Sequence, residues 1–141
     1  MSRPHLCLRN HMLEGTIVPK ELRNQMNNRL VGCDVCQRVC PMQPVDQQLV
    51  QACSFKLDDF VTLDEGVFSE SIRRLSEQIG RNAARPQRVR AQAALLAGNT
   101  LNPVYLPVLR AWSESPFEAV REHAGWAMEK LVQTEKSDVR T

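Results

Sequence analysis

Apolar positions are unevenly patterned along this chain, and the spacing turns helical only from Val67 onward. There Phe68, Ile72, Leu75 and Ile79 recur at steps of four, three and four, which puts them on one face of a helix that Gly80 would end. A second helix is predicted over Pro86 to Ala97, with Val89, Ala93 and Leu96 as its buried stripe and Gly98-Asn99 as its C-terminal signal. A third runs from about Pro103 to Trp112. The fourth opens at Ser115-Pro116, where serine can cap, proline suits the first turn and Glu118 adds a favourable charge. Its stripe is Phe117, Val120, Ala124, Ala127 and Leu131. Upstream the only helical signal is short: Pro19 followed by the good formers Lys20, Glu21, Leu22 and Arg23, with Gly32 as a later break. Residues 45–66 read as a connector, because Asp58, Asp59, Asp64, Glu65 and Gly66 interrupt any apolar period.

The second and fourth helices resemble each other. Val89-Arg90-Ala91-Gln92-Ala93 aligns with Val120-Arg121-Glu122-His123-Ala124, so each opens on Val-Arg and sets an alanine three residues beyond the arginine. Small residues there let paired helices approach closely, and stacked pairs bury a core that one pair alone cannot. The pattern suggests HEAT-like repeats with a period of about 31 residues, a little short for that class. One and a half to two repeats make a small array, which a neighbouring domain would cap at its N-terminal end. A four-helix bundle is the alternative arrangement.

Composition narrows the class. The 141 residues are 43% hydrophobic and 24% charged, as expected of a folded globular chain of one medium or two small domains. The longest apolar stretches, such as Ala93 to Ala97, are far below the roughly 20 residues that cross a bilayer, so no membrane span is expected. The first residues, Met1 to Cys7, lack the apolar run of a signal peptide. A net charge of +2 selects no partner, but Arg73, Arg74, Arg81, Arg85, Arg88 and Arg90 cluster with only Glu77 opposing them. Such an excess suits phosphate-rich RNA, with Arg81, Arg85, Arg88 and Arg90 as the candidate contacts; a solvated helix face is the plain alternative.

Chemistry is concentrated in Gly32-Cys33-Asp34-Val35-Cys36-Gln37-Arg38-Val39-Cys40-Pro41. Three thiols within eight positions are too crowded for a disulfide framework and normal for a metal site in a reducing compartment, which points to the cytoplasm. Cys33 and Cys36, two residues apart, can turn both thiolates to one centre. A third cysteine followed at once by proline is the ending of the bacterial ferredoxin run, whose last cysteine serves the other cluster. A zinc ribbon would need a second Cys-x-x-Cys pair, and only Cys53 follows Cys40, so iron–sulfur is favoured over zinc. Cys53, His5, His11 and His123 show no ligand spacing and read as incidental or structural. The fold class is therefore mainly α: a partial ferredoxin-like iron–sulfur segment (1–44), the connector (45–66), HEAT-like repeats (67–134) and a tail (135–141).

These residues carry a family resemblance. Cys7, then Gly15-Thr16-Ile17-Val18-Pro19-Lys20-Glu21-Leu22-Arg23, then the Gly32 to Pro41 run resemble the epoxyqueuosine reductases, and the helical repeats match the family as well. The resemblance implies an oxidoreductase of tRNA queuosine biosynthesis that uses cobalamin and two [4Fe-4S] clusters to reduce an epoxide in the anticodon loop. It implies that Cys7, Cys33 and Cys36 are ligands of the cluster nearer the surface and Cys40 of the cluster nearer cobalamin. In that family a further Cys-x-x-Cys-x-x-Cys-x-x-x-Cys-Pro run and the catalytic cobalamin domain lie upstream of the matching region. The cluster ligand set is thus expected to be incomplete in this chain, and no catalytic or cobalamin-binding residue is carried over. Met42 stands where the family often has tryptophan. The expected role is a C-terminal fragment or subunit that supplies cluster ligands and a tRNA-contacting helical domain, with an upstream cobalamin-domain polypeptide as partner. The alternative is a non-enzymatic HEAT-like RNA- or protein-binding module whose cysteine site is vestigial or holds zinc.

Overall fold

In the computed structural model the described residues are 17–26, 56–81 and 84–139. Their regular elements are all helical: α1 (Lys20–Arg23), α2 (Glu65–Ile79), α3 (Pro86–Asn99), α4 (Leu106–Trp112) and α5 (Glu118–Val139), with 3-10 turns at Asn24–Met26, Leu57–Asp59 and Pro103–Tyr105. The mainly α expectation holds for these residues. Cys7, Cys33, Cys36, Cys40 and Cys53 lie outside them, and so does most of the iron–sulfur segment.

Each helix end has a local cause. Asp64, one of the residues that broke the apolar period of the connector, is the N-cap of α2: its Oδ1 accepts from the amides of Gly66 at 2.9 Å and Val67 at 3.3 Å. Gly80 ends the helix as expected, with φ 88° and ψ 156°, a backbone shape that a side chain would strain. Pro86 occupies the start of α3, where its missing N–H leaves nothing unsatisfied.

Gly98 departs from its expected role. α3 continues through Gly98 and Asn99 and ends at Thr100, with the left-handed turn residue at Leu101 (φ 57°). A methyl group on Gly98 would stand 2.8 Å from the Ala127 Cβ and 2.9 Å from its Cα, so this glycine is where the α3 and α5 backbones come together. Likewise Phe117, expected on the inner stripe of the fourth helix, is 43% exposed, because α5 begins one residue later at Glu118. The other four stripe residues, Val120, Ala124, Ala127 and Leu131, are fully buried. α5 also runs through Val139, across much of the segment read as a tail.

α3 and α5 form the centre, and α4 packs on α5. Positions 91–98 of α3 are buried on every side, which is why its apolar period reads weakly: a surrounded helix has no polar face. The two similar stretches share buried positions in this centre, Val89 and Val120, Gln92 and His123, and Ala93 and Ala124, but differ between them, where Ala91 is buried and Glu122 exposed. The connector also contributes to the core: Phe60 is fully buried, Val61 nearly so, and the Tyr105 hydroxyl donates to Asp58 at 2.6 Å.

Candidate functional site: a basic turn and a docked segment

The arginines that cluster in sequence separate in space into different roles. Arg73 is exposed but paired along its own helix with Glu70 and Glu77. Arg90 turns inward. Its guanidinium sits 4.2 Å from the Phe68 ring centroid and 5.6 Å from that of Trp112, and Nη2 donates to both carboxylate oxygens of Glu65 at 3.1 and 3.2 Å. Only 20% of this side chain is exposed, so Arg90 joins α2, α3 and α4 and its charge is already committed. Arg81 and Arg85 are exposed and Arg88 half-buried, at the turn between α2 and α3 and on the first turn of α3. That first turn carries no acidic residue, so the positive end of the helix and the side-chain charges act in the same sense. Of the four candidate RNA contacts, Arg85 and Arg88 stand at the start of α3 and Arg81 five residues before Pro86, while Arg90 is part of the packing.

The second feature was not legible in the sequence. Residues 17–26 dock on α3 and α5 through a small apolar cluster of Val18, Leu22 and Met26 against Leu95 and Leu96, with Trp126 and Leu57 beside it. Polar contacts fix the register. His123, buried on α5, uses both ring nitrogens: Nε2 accepts from the Val18 amide at 3.0 Å, and Nδ1 lies 3.0 Å from the Ala91 carbonyl. Since one nitrogen must accept and the other donate, the ring is neutral with its proton on Nδ1. Burial, with Arg23 nearby as a lesser cause, lowers its pKa to about 4 despite the raising effect of the Ala91 carbonyl.

Arg23 is itself buried. Nε donates to the Val18 carbonyl at 2.8 Å, Nη2 reaches Glu122 Oε1 at 3.4 Å, and the guanidinium lies 5.7 Å from the Trp126 centroid. Asn99 Nδ2 donates to the Arg23 carbonyl at 3.0 Å, and Lys130 Nζ bridges Asn24 and Asn99. The Glu-Leu-Arg end of the family-like stretch thus anchors this segment to the helices: Leu22 and Arg23 are buried and Glu21 faces solvent. No local signal marks Arg23 for burial, because its carboxylate partner Glu122 lies 99 residues away in the chain.

The implied clusters find no fit among the described residues. No group of three or more His, Cys, Asp or Glu converges there, and His123 has no nitrogen to spare. The four candidate thiolates, Cys7, Cys33, Cys36 and Cys40, are outside the described residues. No described helix is long and apolar enough to cross a membrane.

Comparison with known proteins supplies the relationship. The chain is 33% identical to the epoxyqueuosine reductase of Pseudomonas aeruginosa over 130 aligned positions, which cover 83% of this chain and 34% of that protein. The same-named proteins of Vibrio cholerae and Shewanella oneidensis are 32% and 30% identical over 83% and 92% of the chain, again matching 33% and 34% of their own lengths. No family profile matches the chain, and no solved structure does. The chain is homologous to the epoxyqueuosine reductase family and spans about a third of the length of the curated relatives it matches.

Proposed function

We propose that this chain is a fragment or subunit of an epoxyqueuosine reductase-like oxidoreductase of tRNA queuosine modification, acting in the cytoplasm. The observation that carries the reading is homology along most of the chain to proteins of that name. Cys7, Cys33, Cys36 and Cys40 supply part of the ligand set for [4Fe-4S] clusters, and an upstream cobalamin-domain polypeptide supplies the remaining thiolates and the catalytic centre. The helices form a short HEAT-like array, a reading supported by shared burial at the valine, Gln92/His123 and Ala93/Ala124 positions of the two Val-Arg stretches. Its basic turn, Arg81, Arg85 and Arg88, contacts tRNA phosphates. Arg90 holds the array together and is left out of that contact, because its guanidinium is already paired and stacked.

Anaerobic reconstitution tests the proposal. A [4Fe-4S] centre needs four ligands, so the chain alone should take up substoichiometric, oxygen-labile iron. Co-expressed with a cobalamin-domain polypeptide carrying the missing cysteine run, it should bind iron and sulfide in cluster ratio, and Cys33→Ala should abolish its contribution. One stable zinc per isolated chain, lost in Cys33→Ala, would replace this reading with that of a non-enzymatic binding module.

A further inference from the structure

The contact between His123 and Val18 joins two parts of the chain 105 residues apart, and it depends on the protonation of one ring. Nε2 must be bare to accept the Val18 amide, while the Nδ1 proton is held by the Ala91 carbonyl on α3. A second proton could enter only at Nε2. There it would confront the Val18 N–H with another donor, so that the hydrogen bond becomes a clash of two positive ends. We propose that His123 is the pin of a pH-sensitive latch: its neutral ring holds residues 17–26 on α3 and α5, and protonation of Nε2 releases that segment while the helices stay folded.

The surrounding charges set the sense of the latch. From the docked segment Arg23 opposes a positive ring, and from its own helix Glu122 favours one, but Glu122 is already drawn to Arg23 at 3.4 Å. From α3 the ring meets the Ala91 carbonyl; Arg88 and Arg90 precede Ala91 in the chain, and Arg90 is directed to Glu65. Undocking opens the Nε2 side of the ring to water, where an ordinary imidazole titrates near 6.5, against about 4 in the docked state. The docked state has the lower pKa, so its advantage is complete above pH 6.5. It is lost as pH falls towards about 4. The docking equilibrium should therefore weaken by close to tenfold per pH unit across that window, to a ceiling of roughly 300-fold. Of the remaining anchors, the Val18, Leu22 and Met26 cluster is apolar and the Arg23 Nε bond to the Val18 carbonyl involves no carboxylate.

The test uses the full chain, with hydrogen–deuterium exchange corrected for intrinsic rates and read separately for residues 17–26, 86–99 and 118–139 between pH 7 and 4. Protection of 17–26 should fall steeply while both helices keep theirs, and His123→Gln, which cannot gain a proton here, should make the 17–26 response flat. Simultaneous loss of protection in all three regions, or a His123→Gln chain with the original pH response, would overturn the latch. Nuclear magnetic resonance of the unsubstituted protein gives an independent reading, should the variant not fold. The His123 ring and the Val18 amide must titrate together, and a ring that protonates while the Val18 signal stays fixed rules the proposal out.

Discussion

Arginine illustrates how one residue type serves opposite ends. Arg85 and Arg90 are five residues apart at the start of α3, yet Arg85 faces solvent while Arg90 lies over Phe68 with its charge answered by Glu65. A guanidinium is weakly hydrated and flat, so it can be laid on an aromatic ring at modest desolvation cost. Replacing Arg90 by alanine removes that contact, the Glu65 pair and the approach of the guanidinium to the Trp112 ring. We expect a loss of about 2 kcal/mol in unfolding free energy, measurable by urea titration. Arg85→Ala, on an exposed side chain, should lie within about 0.5 kcal/mol of the parent protein. The sequence marks these residues as cations but not their depth, because depth depends on which aromatic ring another helix brings to the same place.

At the scale of elements, the two helical glycines of the central pair make opposite predictions. Gly98 faces Ala127 at a distance that leaves no room for a methyl group, so Gly98→Ala must push α3 and α5 apart and should cost about 1–3 kcal/mol. Gly125 sits inside α5 with nothing within 4 Å of where a Cβ would stand. Gly125→Ala should therefore stabilise the protein by about 0.5–1 kcal/mol through helix propensity alone. Thermal denaturation of both variants separates the roles, and equal effects of one sign would refute the helix contact. Helix positions were readable from the chain: starts at Pro86, stops at Gly80 and stripes such as Val120, Ala124 and Leu131 follow from local chemistry and the 3.6-residue turn. Glycine suits both a helix end and a close crossing, and at Gly98 only the partner helix, with Ala127 against it, decides for the second.

For the whole molecule, the distribution of charge bears on the proposed RNA contact. If Arg81, Arg85 and Arg88 meet phosphates, affinity for tRNA should fall linearly on a logarithmic salt axis. Each of Arg85→Ala and Arg88→Ala should then reduce the slope by about 1. Arg73→Ala is the control: its charge is balanced by Glu70 and Glu77, so the slope should hardly change. A salt-independent affinity would remove nucleic acid from the proposal. The docked segment belongs to this scale too, since it ties residues 17–26, which follow the Cys7 region, to the helices that carry the basic turn.

What the chain determined by itself was whatever depends on near neighbours: four main helices, most of their ends, their apolar stripes and the cysteine spacing on which the family resemblance rests. Tertiary structure alone decided that Phe60 enters the core, that Arg90 is interior and that His123 joins Val18 to Ala91. The physical reason is that burial and pairing are properties of two surfaces at once. Turn chemistry and helical period are written within a few residues, whereas the partner of Val18 stands 105 positions away and becomes its neighbour only when α3 and α5 pack.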